Sequence, residues 1–299
     1  MNELGFVKRV SGVAVTQRFA PYQFMNIASF MTCERLVSTP VVMSTRTMAV
    51  ILQAIRSLRA VLPLYLCITW SDVYAQTQFD LETGPIVTAQ NDVRIPGEGG
   101  TLFSLKDNLV AKTTGYLRLR INHTFGSIHT LSLLYAPLTI ESTGNIDEDI
   151  FYNGTNFSSG TSLRGTYQFN SYRLSYRYHF INTPTLVLAF GVTAKIRDAN
   201  IVLISTNTSV DRPSVGVVPL PHFYCWWGYA EDWGILLEGD AYAGPGGRAI
   251  DVQIATTYDV VDEVTLRFGY RILDGGASNE RVYGFARFHY GVVGFTYSL

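Results

Sequence analysis

The charged side chains of this chain are few, 16% of its residues, and many of them recur at every second position. Arg118 and Arg120 flank Leu119. Arg173 and Arg177 fall in the run 172–180, Lys195 and Arg197 end the run 186–197, and Arg267 and Arg271 belong to a fourth. Glu238, Asp240, Asp251 and Asp259 supply the opposite charge. Successive side chains of a strand point to opposite faces, so these groups share one face of a sheet. Charges gathered on a sequestered face must pair. The chemistry they offer is a salt-bridged interior. Because bases outnumber acids, the alternative is a narrow passage or cavity that leans toward anions. His123, His129, His179, His222 and His289 show no catalytic spacing. Three cysteines in 299 residues are too few for a disulfide framework, and Cys33, Cys67 and Cys225 lie too far apart for a Cys-rich zinc site. No catalytic residue, metal site or cofactor is therefore assigned.

The elements that position these charges read as strands. Tyr172, Leu174, Tyr176, Tyr178 and Phe180 alternate with Arg173, Ser175, Arg177 and His179. Similar alternation runs through 117–122, 186–197, 251–258 and 266–272, one face apolar and aromatic and the other Arg, Asp, Ser and Gly. A soluble sandwich turns its apolar face inward and its polar face to water, and such polar faces are usually rich in Lys and Glu. After residue 75 the only lysines are Lys106, Lys112 and Lys195. In a membrane barrel the apolar face meets lipid and the polar face fills the lumen. The fold class expected is thus all-β, an antiparallel up-and-down transmembrane β-barrel of about ten strands, near 78–91, 114–125, 128–141, 165–181, 185–204, 214–229, 233–243, 248–259, 264–273 and 281–298. Tight links at 126–127, 182–184, 230–232 and 260–263 alternate with longer ones at 92–113, 142–164, 205–213, 244–247 and 274–280. Short periplasmic turns and longer outer loops have that pattern, and it places both chain ends in the periplasm. Phe125, Phe180, Tyr229, Trp233, Tyr258 and Tyr297 cluster at the short-turn end, as an interfacial girdle of rings does.

Composition sets the bounds. The 299 residues are 47% hydrophobic with a formal net charge of −1. That excludes a disordered chain and gives no basic excess for nucleic acid. Arg56 and Arg59, the apolar run 60–68 and the Val73-Tyr74-Ala75 ending are the n-region, h-region and small-residue site of a signal peptide. Cleavage is expected between Ala75 and Gln76. Met43 and Met48 stand just ahead of this segment, which makes 1–42 upstream read-through or disordered chain, 43–75 the signal region and 76–299 the barrel. Seven Lys and Arg and three Asp and Glu precede Gln76, so the remainder carries a net charge of −5.

Tyr172–Phe180, Leu186–Ile196 and Gly291–Leu299 resemble strands of small Gram-negative outer-membrane barrels of the OmpA, OmpW and OmpX style. The ending Gly294-Phe295-Thr296-Tyr297-Ser298-Leu299 is similar to the C-terminal signal that the barrel-assembly machinery reads, although that signal usually ends in Phe or Trp where this chain has Leu299. The resemblance spans about 76–299 and implies a place in the outer membrane. Its partners would be outer-membrane lipid, the assembly machinery through Gly294, Phe295, Tyr297 and Leu299, and a small solute, with a structural or solute-passage role. A barrel protease of the omptin type would need Asp and His at the outer rim, where Asp147-Glu148-Asp149 has no facing His. A lipid A deacylase or phospholipase barrel would need a His-x-Ser pairing that this chain lacks. Two alternatives remain open: a soluble periplasmic barrel with its apolar face inside around an apolar ligand, and an outer-membrane barrel enzyme acting on lipid or peptide.

Overall fold

A computed structural model describes residues 76–299. The segment 1–42, the stretch 43–75 expected to be a signal peptide and the Ala75 side of the expected cleavage point lie outside the described residues. The elements are β1 (Gln76–Arg94), β2 (Phe103–Ser104), β3 (Val110–Ala111), β4 (Thr114–Phe125), β5 (His129–Ala136), β6 (Thr139–Asn145), β7 (Ile150–Tyr152), β8 (Thr155–Phe157), β9 (Ser162–Asn182), β10 (Leu186–Ile204), β11 (Ser209–Gly228), β12 (Trp233–Gly244), β13 (Gly247–Val261), β14 (Val264–Ser278) and β15 (Tyr283–Ser298). Ten of them make the wall, β1, β4, β5 and then β9 through β15, each antiparallel to the next. β15 returns to β1, with Gln78 opposite Ser298 and Arg94 opposite Tyr283, and closes the barrel.

Pro137 interrupts one strand because it has no N–H to give the ladder. β6 resumes beyond it and pairs the upper half of β9, bridged by Phe169 N–H donating to Leu138 O at 2.8 Å. β4 begins late, at Thr114, and the chain before it fills the gap: β2 lies on β1 and β3 on β6. Gly126 and Ser127, at φ 61° and 59°, make the β4–β5 turn. Two successive positive φ values are the hairpin geometry that matches strand twist.

The side chains face as the alternation requires. Phe190 and Val192 are 58% and 60% exposed, whereas Thr193 and Lys195, at the odd positions of the same strand, are 1% and 4%. The apolar stripe is the outer surface and the polar stripe is the interior. The soluble alternative, with the apolar face inward, is the reverse of this arrangement.

Three of the five outer links are shorter than the sequence suggests. Those at 205–213, 244–247 and 274–280 contract to 205–208, 245–246 and 279–282. The reason is that apolar alternation ends where the apolar belt ends, while backbone pairing continues: Asn200 opposite Pro213 and Asp198 opposite Val215 extend the ladder with polar or mixed outward residues. The remaining two links fold inward. Leu105 and Leu109 from 95–113, together with Ile146, Ile150, Tyr152 and Phe157 from 146–161, pack on Val93, Leu163 and Leu203 into a buried apolar cap at the outer end. Tyr152 O–H donates to Ile201 O at 2.9 Å, and burial pushes its phenol above the usual range.

Candidate functional site

The barrel interior is layered. Toward the short-turn end, Trp226 donates to Thr257 Oγ1 at 3.0 Å. A β-carbon at Gly234 would sit 2.4 Å from Trp226 Nε1, so the missing side chain there is what admits the indole. Beside it the Arg177 guanidinium lies 4.2 Å over the Tyr224 ring, and His179 and Thr130 hydrogen-bond at 2.8 Å.

The middle layer is an ion network that joins neighbouring strands, as Asp251 and Arg271 do, and strands apart in the wall, as Asp251 and Arg173 do. Asp251 of β13 accepts from Arg271 at 2.6 Å, Arg118 at 3.2 Å and Arg173. Glu82 of β1 meets Arg271 at 2.8 Å, Arg267 at 3.2 Å and Arg118 at 3.7 Å. Asp80 takes Arg267 at 2.7 Å. On the far wall Asp240 accepts from Arg173 at 2.7 Å, Thr193 at 2.6 Å and pairs with His222 at 2.9 Å. Glu238 pairs with Arg120. Glu82, Asp240, Asp251, Arg118, Arg173 and Arg271 are all buried. Bidentate, charge-assisted bonds of this kind are roughly twice as strong as neutral ones. A cavity of ≈ 10 Å³ between Arg120, Arg173, His222 and Glu238 has room for about one water.

Above the ions lies an apolar layer of Ile86, Leu138, Ile140, Leu273 and Phe288 with Tyr116 and Tyr290, and above that the cap. Tyr116 joins the two layers by donating to Glu82 Oε1 at 3.0 Å.

The sequence-expected residues divide into two groups. Arg118, Arg120, Arg173, Arg267 and Arg271 meet carboxylates, and the expected acids Glu238, Asp240 and Asp251 are among those they meet. Arg177, Lys195 and Arg197 face inward without a carboxylate partner among the described residues: Arg177 stacks on Tyr224, Lys195 on the Phe169 ring at 4.7 Å, and Arg197 donates to Ser214 Oγ at 2.9 Å. Asp259 sits at the short-turn end and accepts from Thr265 Oγ1 at 2.6 Å, outside the network. Sequence inspection passed over Asp80 and Glu82, although Phe79-Asp80-Leu81-Glu82 carries the same alternation. It also passed over His222, whose place beside Asp240 depends on strand register.

The C-terminal residues form the seam. Gly294 is opposite Glu82 and Arg267, where a β-carbon would meet the Arg267 guanidinium at 2.8 Å. Phe295 and Tyr297 point outward and are 41% and 39% exposed.

No protein-family model and no curated protein matches this chain. Solved structures do. The outer membrane protease OmpT from Escherichia coli aligns at TM-score 0.47 and 10% identity, over 75% of this chain and 97% of that one. Ail, the attachment invasion locus protein of Yersinia pestis, aligns at 0.34 and 9%, over 75% and 99%. The translocator domain of the autotransporter NalP from Neisseria meningitidis aligns at 0.36 and 12%, over 83% and 97%. By its own geometry, with a closed antiparallel wall, an apolar outside and a charged inside, the chain has the fold of a transmembrane β-barrel of the outer-membrane type.

Proposed function

We propose that this chain is an integral barrel of the Gram-negative outer membrane whose lumen is sealed, and that its role is structural, not the passage of solute. The observation that supports this most directly is the stack of filled layers: the ion network, the apolar layer with Tyr116 and Tyr290, and the apolar cap, one above another. Carboxylates locked between two or three guanidiniums are not free to select moving ions. In this reading the barrel is not an enzyme. The His222–Asp240 pair is buried in the lumen, and His123, His129 and His179 lie toward the short-turn end. Gly294, Phe295, Tyr297 and Leu299 at the seam serve the assembly machinery, and outer-membrane lipid covers the apolar wall.

Planar-bilayer recording of the refolded barrel tests the proposal. The expected trace shows no steady conductance. A steady open-channel conductance in the wild type would return the lumen to a wet passage for small solutes, with Arg177 and Lys195, which stack on rings and not on carboxylates, as the anion-leaning lining.

A further inference from the structure

The outward faces of β13, β14, β15 and β1 align into rows. Val264, Tyr297 and Phe79 begin the lowest, and Val252, Ile272, His289 and Val87 form the fifth. Five rows two residues apart on strands tilted about 40° span roughly 20 Å, which puts the sixth row roughly 25 Å from the first, the height of an outer-membrane apolar band. The sixth row changes character, with Asp274 beside Arg287, and the seventh places Arg248 beside Gly276 and Phe285. Asp274 Oδ1 accepts Arg248 Nε at 2.7 Å, and Oδ2 accepts Arg287 Nε at 2.9 Å and Nη2 at 2.8 Å. The carboxylate is covered, its side chain 7% exposed, while the arginines remain 31% and 41% exposed. Their other guanidinium N–H groups are left for an acceptor outside the wall.

The patch is also built. The Arg248 guanidinium rests 4.7 Å over the Phe285 ring. A β-carbon at Gly276 would stand 2.3 Å from that ring, so the glycine is what lets Phe285 lie across β14 as a platform. Two forks of net charge +1, held in place by one carboxylate and one ring, sit where the apolar rows stop. Planar guanidiniums match phosphate oxygens in pairs.

We infer that Arg248 and Arg287 bind the phosphate group of a membrane lipid, its acyl chains descending over Ile272 and Val252. The site is on the outer wall at the edge of the apolar band, which a water-borne ligand has no reason to favour. The inference rests on the membrane reading above, and the test separates the two.

The refolded barrel in phosphatidylcholine nanodiscs doped with phosphatidic acid is released and weighed by native mass spectrometry. The wild type is expected to retain phosphatidic acid over phosphatidylcholine, and inorganic phosphate is expected not to displace it. Arg248→Gln and Arg287→Gln should each weaken retention about fivefold, the effect of one basic residue at a lipid surface. Arg164→Gln, exposed on the opposite wall, should leave it unchanged. Arg248→Lys and Arg287→Lys keep the charge that balances Asp274 and should lie between. Heat-shifted migration on SDS gels reports insertion of each variant. Failure of the wild type to insert overturns the membrane reading itself. An inserted barrel with no lipid preference, equal loss in all variants, or displacement by inorganic phosphate overturns this site.

Discussion

Asp240 shows how much a single lumen residue carries. It holds Arg173, His222 and Thr193 at once, so its removal strands a buried guanidinium. Breaking a buried pair by deleting one partner costs about 3–5 kcal/mol. Asp240→Ala and Glu238→Ala are each expected to lower the unfolding free energy of the refolded barrel by that order, and its denaturant midpoint with it. The loss should be insensitive to salt, because buried pairs are poorly screened. A wet lumen would instead give variants with unchanged midpoints. The network's basic members were legible because Arg between apolar neighbours has one explanation in a charge-poor chain. Its pairings were not, since Arg173 reaches Asp251 across 78 positions of sequence and only barrel curvature brings them together. Arg177 and Lys195 expose the limit of counting charges: their partners are the rings of Tyr224 and Phe169, which composition assigns to packing.

Among the elements, β14 offers a ruler. Val264, Phe268 and Ile272 occupy its first, third and fifth outward rows. Arginine on the lipid face costs about 2–4 kcal/mol at the midplane and near zero to 1 at the interface. Phe268→Arg should therefore impair folding into bilayers far more than Val264→Arg, measured as the midpoint of reversible unfolding in lipid. Equal losses would contradict the depth assigned to the rows. Thr193 is a warning about the inward face. It is 1% exposed and bound to Asp240, so no large side chain is tolerated there either. The strands were readable from period two, but their upper ends were not, because alternation reports lipid and not pairing. The β7–β8 hairpin was legible and passed over. Asn153 and Gly154, at φ 45° and 86°, are the strongest short-range hairpin signal, set between Ile150, Tyr152 and Phe157, all buried. Those residues build the cap, while the polar ones beside them, Asp147, Glu148, Asp149, Asn153, Asn156 and Ser158, stay exposed.

At the scale of the whole molecule, the ten-stranded closed wall and the side that faces lipid followed from alternation and turn spacing alone. The fill of the lumen did not, because it is set by contacts between strands far apart in the chain. A closed wall protects every backbone N–H and C=O, so the native barrel should run as a compact band in SDS and shift only on heating. A single position at both temperatures would argue against the closed barrel. The seam between β1 and β15 joins residues 220 apart, as at Gln78 and Ser298, and both of its edges carry part of the ion network or pack against it. Until that seam zips, Asp80 and Glu82 are separated from Arg267 and Arg271, and a half-built sheet would present unpaired guanidiniums to hydrocarbon. Such intermediates have no comfortable place in the bilayer. Membrane entry and ring closure are therefore expected to be coupled in this chain, and slow in the way that long-range pairings are slow.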